Sequence, residues 1–206
     1  MKKGLFISVL LCANLLAAQK LVKKSYIDAT TSSIQIETNN CFEVDLRTSL
    51  SDQMVVEATI DGEYKKDLLL NIRKAGTTVF VSTGFQPNFV NPNDKLSAHK
   101  VISIALTVVV PRHKSVKIYG TSSNITVTGS YEELDVVLED GRCTLNNTGQ
   151  TVAVTTQSGD IYVSQGAAEI KASSKYGKIF EETIPEGDNR FTLRTTTGNI
   201  HLKKTK

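Results

Sequence analysis

The chain has 206 residues, 24 Lys and Arg against 21 Asp and Glu, and a formal charge of +3. A near-neutral chain with scattered charges lacks the basic footprint that nucleic acid requires, so no nucleic-acid partner is expected. The length suits one domain, or two small ones sharing a core.

Residues 1–18 read as a secretory signal peptide. Lys2 and Lys3 give a charged start, residues 5–16 are almost wholly apolar, and Ala17 and Ala18 supply the small residues of a cleavage site. The apolar run is shorter than the roughly 20 residues of a membrane-spanning helix. Val9-Leu10-Leu11 lacks the small residue that lipidation at Cys12 would need. Removing residues 1–18 takes away two lysines and no acid, leaving 188 residues at +1. The mature chain, with no membrane-spanning segment, is expected in the periplasm or at the cell surface as one all-β domain over 19–206.

The N-terminal half, 19–111, is β-rich but irregular. Period-2 alternation predicts strands over 33–38, 41–47, 54–61, 68–73 and 78–82, and again over 101–110, which ends at Pro111. Ala75-Gly76-Thr77 reads as a hairpin turn. Between the last two of these strands, residues 85–95 form a long loop with two phenylalanines and two prolines. Long loops of this kind are often functional. Phe85, Pro87, Phe89 and Pro92 are candidate partner contacts, the alternative being that the rings staple the loop to the core.

The C-terminal half, 112–206, is a repeat. Ile125, Cys143, Ile161 and Ile179 are spaced by 18, and Ile200 follows after 21, which accommodates the loop 184–189. Val116, Leu134, Val152 and Ile170 keep the same step, with Phe191 after 21; Ile118, Val136, Val154, Ala172 and Leu193 run beside them. Each unit therefore holds two short strands with one apolar side. A single coil cannot bury that side, whereas coils stacked at about 4.8 Å can. The pattern predicts an all-β fold whose C-terminal half is a right-handed β-solenoid of 18-residue coils, the N-terminal half packing on it or continuing it. A sandwich of hairpins is the competing arrangement; the constant register of two columns favours the solenoid. Gly141, Gly159, Gly177 and Gly198 open one strand column, where glycine allows positive φ at a tight corner, and Ser123 holds that place in the first unit. Glu181 breaks the inward pattern, so that coil should be distorted, with Phe180 turned to cover the gap.

The pieces Gly159-Asp160-Ile161-Tyr162-Val163, Gly198-Asn199-Ile200-His201-Leu202 and Gly177-Lys178-Ile179-Phe180 resemble the repeats of adhesin-like bacterial envelope families of unknown function, the head GIN type among them. The likeness extends over residues 116–202, and the end of the signal is similar to those of Bacteroidetes. It implies a β-solenoid carried in the cell envelope and transfers no catalytic residue.

The residues themselves suggest no catalyst. The outward columns Thr126, Thr144, Tyr162, Phe180, His201 and Asp135, Ala153, Lys171, Thr192 stack no carboxylates, which a polysaccharide-cleaving solenoid would need. His99, His113 and His201 have no partner at metal-ligand spacing. No metal or cofactor is expected. Cys41 and Cys143 could pair as a disulfide after export, although Cys143 falls in an apolar column that also suits a buried thiol. The expected function is non-enzymatic: an adhesin-like or structural surface for an envelope protein or a glycan. A carbohydrate-active enzyme and a periplasmic partner of a membrane signalling protein are the alternatives.

Overall fold

The computed structural model describes residues 19–28, 30–90 and 102–205; the signal at 1–18, Pro92 and His99 lie outside them. Among the described residues there are thirteen strands in one sheet and no helix. They are β1 (Lys20–Ile27), β2 (Ser33–Glu37), β3 (Cys41–Ser49), β4 (Gln53–Gly62), β5 (Leu68–Ala75), β6 (Thr78–Phe85), β7 (Ile102–Pro111), β8 (Ser115–Thr156), β9 (Asp160–Gln165), β10 (Glu169–Ser174), β11 (Ile179–Glu181), β12 (Arg190–Thr195) and β13 (Ile200–Lys204).

The repeat stacks as parallel ladders. Cys143 pairs with Ile161 and Leu145 with Val163, one 18-residue step apart. At the two ends of the 42-residue β8 the ladder steps on by one coil, since Glu132 N–H donates to Lys114 O and Gln157 N–H to Leu138 O, 18 and 19 residues away. The paired apolar positions at 116/118, 125/127, 134/136, 143/145, 152/154 and 161/163 are all buried. Parallel strands covered on their inner side need this uninterrupted apolar column.

The last two coils are not stacked in chain order. Ile161 pairs with Ile200, and Ile200 in turn with Ile179. On the other side Val152 pairs with Phe191 and Phe191 with Ile170. The C-terminal coil of β12 and β13 is thus inserted between the coil of β8 and β9 and the coil of β10 and β11. Composition explains the choice. Phe191, Leu193, Ile200 and Leu202 are buried, while the outermost coil offers Ala172 and Glu181 at inward positions and leaves Ile179 40% exposed. An end coil needs only one buried side, so the weakest apolar pattern belongs there. The expectation that Phe180 turns inward to cover Glu181 is corrected: Glu181 is at the end of the stack and exposed, and Phe180 faces outward.

The N-terminal half continues the stack. Ile34 pairs with both Val79 and Val116, and Val44 with both Leu106 and Ile125. After β1 the chain therefore enters the middle of the stack at β2 and β3, runs outward, and returns through β8. The far end is closed by antiparallel strands, β5 on β6 and β4 on β7, with β1 outside β4. Gly76, with φ of +61°, makes the two-residue hairpin between β5 and β6. One apolar cluster runs from Ile34 to Leu202 through both halves.

Candidate functional site

The corner after each first strand is built by a hydroxyl and a glycine. Thr195 Oγ1 accepts from Gly198 N–H at 3.1 Å, and Ser174 Oγ accepts from Gly177 N–H at 2.9 Å. Thr156 Oγ1 donates to Gly159 O at 2.6 Å and lies 2.8 Å from Thr195 Oγ1. The glycines stack as Gly141, Gly159, Gly198, Gly177. Only Gly141 of these has positive φ, +95°. The others are required by close approach instead: a Cβ on Gly159 would lie 2.9 Å from Gly141 O, and one on Gly198 only 2.7 Å from the Gly159 carbonyl carbon. Ser123 fills the first corner, donating to Cys41 O at 2.7 Å and lying 2.9 Å from Thr38 Oγ1.

This corner shapes a groove of about 820 Å³. Its floor is Gly120, Leu138 and Thr156, and a Cβ on Gly120 would press on the side-chain ends of Thr38 and Leu138, the latter at 2.8 Å. Along it lie the outward side chains Glu37, Tyr119, Val137 and Thr155, with Glu37 and Tyr119 paired across neighbouring strands. Tyr119 is 39% exposed. Gln35, Asn39, Glu139 and Gln157 add to the polar lining, which among the described residues holds no Lys or Arg. The groove thus offers a ring and a small apolar surface among amides, hydroxyls and two carboxylates. The sequence reading missed it, although Tyr119, Val137 and Thr155 are spaced by the repeat length.

A second feature lies on the opposite strand column. The His201 ring is sandwiched between Tyr162, 4.4 Å away and parallel within 2°, and Phe180, 4.7 Å away. The Arg142 guanidinium carbon is 5.0 Å from the Tyr162 ring centre. Sequence spacing put these rings in one outward column; the inserted coil sets their order as Tyr162, His201, Phe180. A smaller groove of about 380 Å³ runs beside them.

The loop candidates behave differently from one another. Phe85 and Phe89 stack at 4.1 Å, and Tyr64 meets both edge-on. Phe85 packs against the core, and Gln86 holds the loop through Asp67 O and Lys66 O. Pro87 is exposed. Cys41 and Cys143 are both buried free thiols and form no disulfide. Burial pushes the Cys143 thiol up to about 12 and that of Cys41 up to about 11, the latter opposed by the bond to Thr83. Both are therefore neutral and unreactive in the native fold. His113 sits exposed in a turn at φ of +59°. Among the described residues no three His, Cys, Asp or Glu side chains gather as a metal site, and no helix is long and apolar enough to cross a membrane.

No curated protein matches the chain. The solved structures similar to it include three of bacterial proteins. The putative cell adhesion protein of Clostridium sporogenes is 14% identical, with a TM-score of 0.61 over 91% of this chain and all of that one. A putative adhesin of Bacteroides fragilis is 14% identical, over 90% of this chain and 98% of that one, at a TM-score of 0.36. A putative adhesin of Parabacteroides distasonis is 10% identical, over 91% and 98%, at 0.37. The first of them shares the fold. Residues 106–203, which hold the repeat, match the family model described as Toastrack DUF4097.

Proposed function

We propose that this chain is a non-enzymatic, adhesin-like envelope protein that binds a glycan or an envelope protein along the Tyr119 groove. The observation that carries the reading is the groove itself: an exposed ring beside Val137, rimmed by amides, hydroxyls and carboxylates, on a rigid stack of coils. Aromatic faces flanked by planar polar groups suit hydroxyl-rich or peptide ligands. The likeness to a cell adhesion protein in fold supports it. In this reading residues 1–18 direct export, residues 19–206 act as one domain, and the coils wind right-handed, as parallel β crossovers nearly always do. Pro87, exposed beside the Phe85–Phe89 stack, extends the contact surface. A glycan and envelope-extract binding screen tests it: Tyr119→Ala should abolish any binding found for the parent. Binding unchanged by that variant would refute the groove as the site.

Glu37 and Glu139 in the same groove favour one second reading, a carbohydrate-active enzyme with a carboxylate pair. Polysaccharide turnover by the parent that is lost in Glu139→Gln would establish it in place of simple binding.

A further inference from the structure

The two ends of the stack differ. At the β1 end the core is covered. Lys20 Nζ and Lys24 Nζ reach across from β1 to donate to Leu68 O and Leu70 O of β5, at 2.8 and 2.6 Å, and Leu68 and Ile60 beneath are fully buried. At the other end, among the described residues, β10 pairs only with β12 and β11 only with β13. No described strand lies on their outer edges, Ile179 and Phe180 are 40% and 49% exposed, and the Tyr162–His201–Phe180 ladder stops at an open ring face. Unpaired edges of this kind are templates for strand addition.

We propose that the open end binds the β1 end of a second copy, so that copies join head to tail. Three observations select this occupant. The first is direction. β1 is antiparallel to β4, and β4 to β7, while β7, β3, β8, β9, β13 and β11 are mutually parallel. A copy placed in line therefore brings β1 against β11 as one more parallel pair. The second is charge. β1 carries Lys20, Lys23 and Lys24 and no acid before Asp28, Lys23 among them in an ion pair with Glu57 at 3.4 Å, whereas at the open end Glu181, Glu182 and Glu186 come after Lys178 without a Lys or Arg between them. The third is register. Val22 and Lys24 face inward, paired with Ala58 and Val56, and Ile179 and Glu181 face inward opposite Ile200 and Leu202. Keeping inward beside inward sets Ile179 against Val22, Phe180 against Lys23, and Glu181 against Lys24: an apolar pair, a cation on a ring and an ion pair. The contact is heterologous and does not close on itself, so it generates linear chains.

Sedimentation of the full protein at low salt tests this. The weight-average mass of the parent should rise at least about two-fold between about 10 µM and about 1 mM, and the rise should shrink in high salt. Glu181→Lys alone and Lys24→Glu alone should each stay monomeric, since each sets like charges together. An equimolar mixture of the two should associate again, because each variant's altered end then meets an opposite charge. A parent that stays monomeric to about 1 mM overturns the proposal whatever the variants do. So does Lys24→Glu associating as the parent does, or a mixture no heavier than its parts when both variants melt with the parent.

Discussion

Replacing Gly198 by Ala probes the corner on which the stacked coils close. The added Cβ would lie 2.7 Å from the Gly159 carbonyl carbon, 2.8 Å from Thr195 Oγ1, and well inside contact with the Gly159 carbonyl oxygen. The Gly159 carbonyl is backbone, and the Thr195 hydroxyl is held between Gly198 N–H and Thr156 Oγ1. The backbone of the inserted coil must therefore lift away from the coil of β9, and coils on both sides prevent it from moving freely. Over-packing of this kind costs about 1–3 kcal/mol. The lift also strains Thr197 N–H to Gln157 O, 2.9 Å, and Gly198 N–H to Thr195 Oγ1, 3.1 Å, and a weakened bond adds about 1 kcal/mol. The sum is about 2–4 kcal/mol, which for a chain of this size lowers the melting temperature by about 4–16 °C. Gly84→Ala is the control, because a Cβ there meets nothing within 4 Å, and it should melt within about 2 °C of the parent. Thermal unfolding followed by circular dichroism reads both. Equal melting temperatures for the two variants would refute the close-approach reasoning.

Gly177→Ala should cost less than Gly198→Ala, although its Cβ would also lie 2.7 Å from a carbonyl carbon, that of Gly198. The outermost coil can shift outward, and a larger loss in urea unfolding for Gly177→Ala would contradict its end position. Tyr131→Phe should lose about 1–2 kcal/mol in the same assay, because the buried hydroxyl donates to Thr128 O at 3.0 Å and lies 3.3 Å from Leu46 O; an unchanged midpoint would count against those bonds. Neither Cys41 nor Cys143 should react with an aromatic disulfide reagent at pH 8 until the chain is unfolded. Their folded values, about 11 and about 12, lie above the ordinary 9.0. The unfolded chain therefore releases these protons first, so the stability they contribute is complete below about pH 9 and falls as pH rises towards 12. Cys143→Ala should flatten that decline, and an unaltered alkaline profile would refute it.

The apolar columns were legible because a period of 18 aligns Val116, Leu134 and Val152, and all three are buried where the spacing puts them. The order of the last coils was not, since spacing counts steps along the chain and says nothing of which coil lies outside. The hint was chemical: Glu181 at an inward position marks an end coil. The coil of β2 and β3 escaped notice because Ile36 and Val44 are one residue further apart than Ile118 and Ile125, the register shift between Cys41 and Glu43 absorbing the difference. β1 was missed because its three lysines mask the alternation that Val22 and Tyr26 supply by packing on the core. The Tyr119 groove was partly signalled by the repeat spacing of Tyr119, Val137 and Thr155, but it also needs Thr38 to meet Gly120 from a strand 82 residues away, which no local pattern announces.

The inserted coil is tested most directly by two pairs of engineered cysteines on the outward face. Tyr162 and His201 are partners in adjacent parallel strands, whereas Tyr162 and Phe180 are separated by the strand of His201. Adjacent strands lie about 4.8 Å apart and next neighbours about twice that, and a disulfide bridges Cα atoms only to about 7 Å. Mild oxidation should therefore close a disulfide in the Tyr162→Cys/His201→Cys protein and none in the Tyr162→Cys/Phe180→Cys protein. The reverse result would mean that the coils stack in simple chain order.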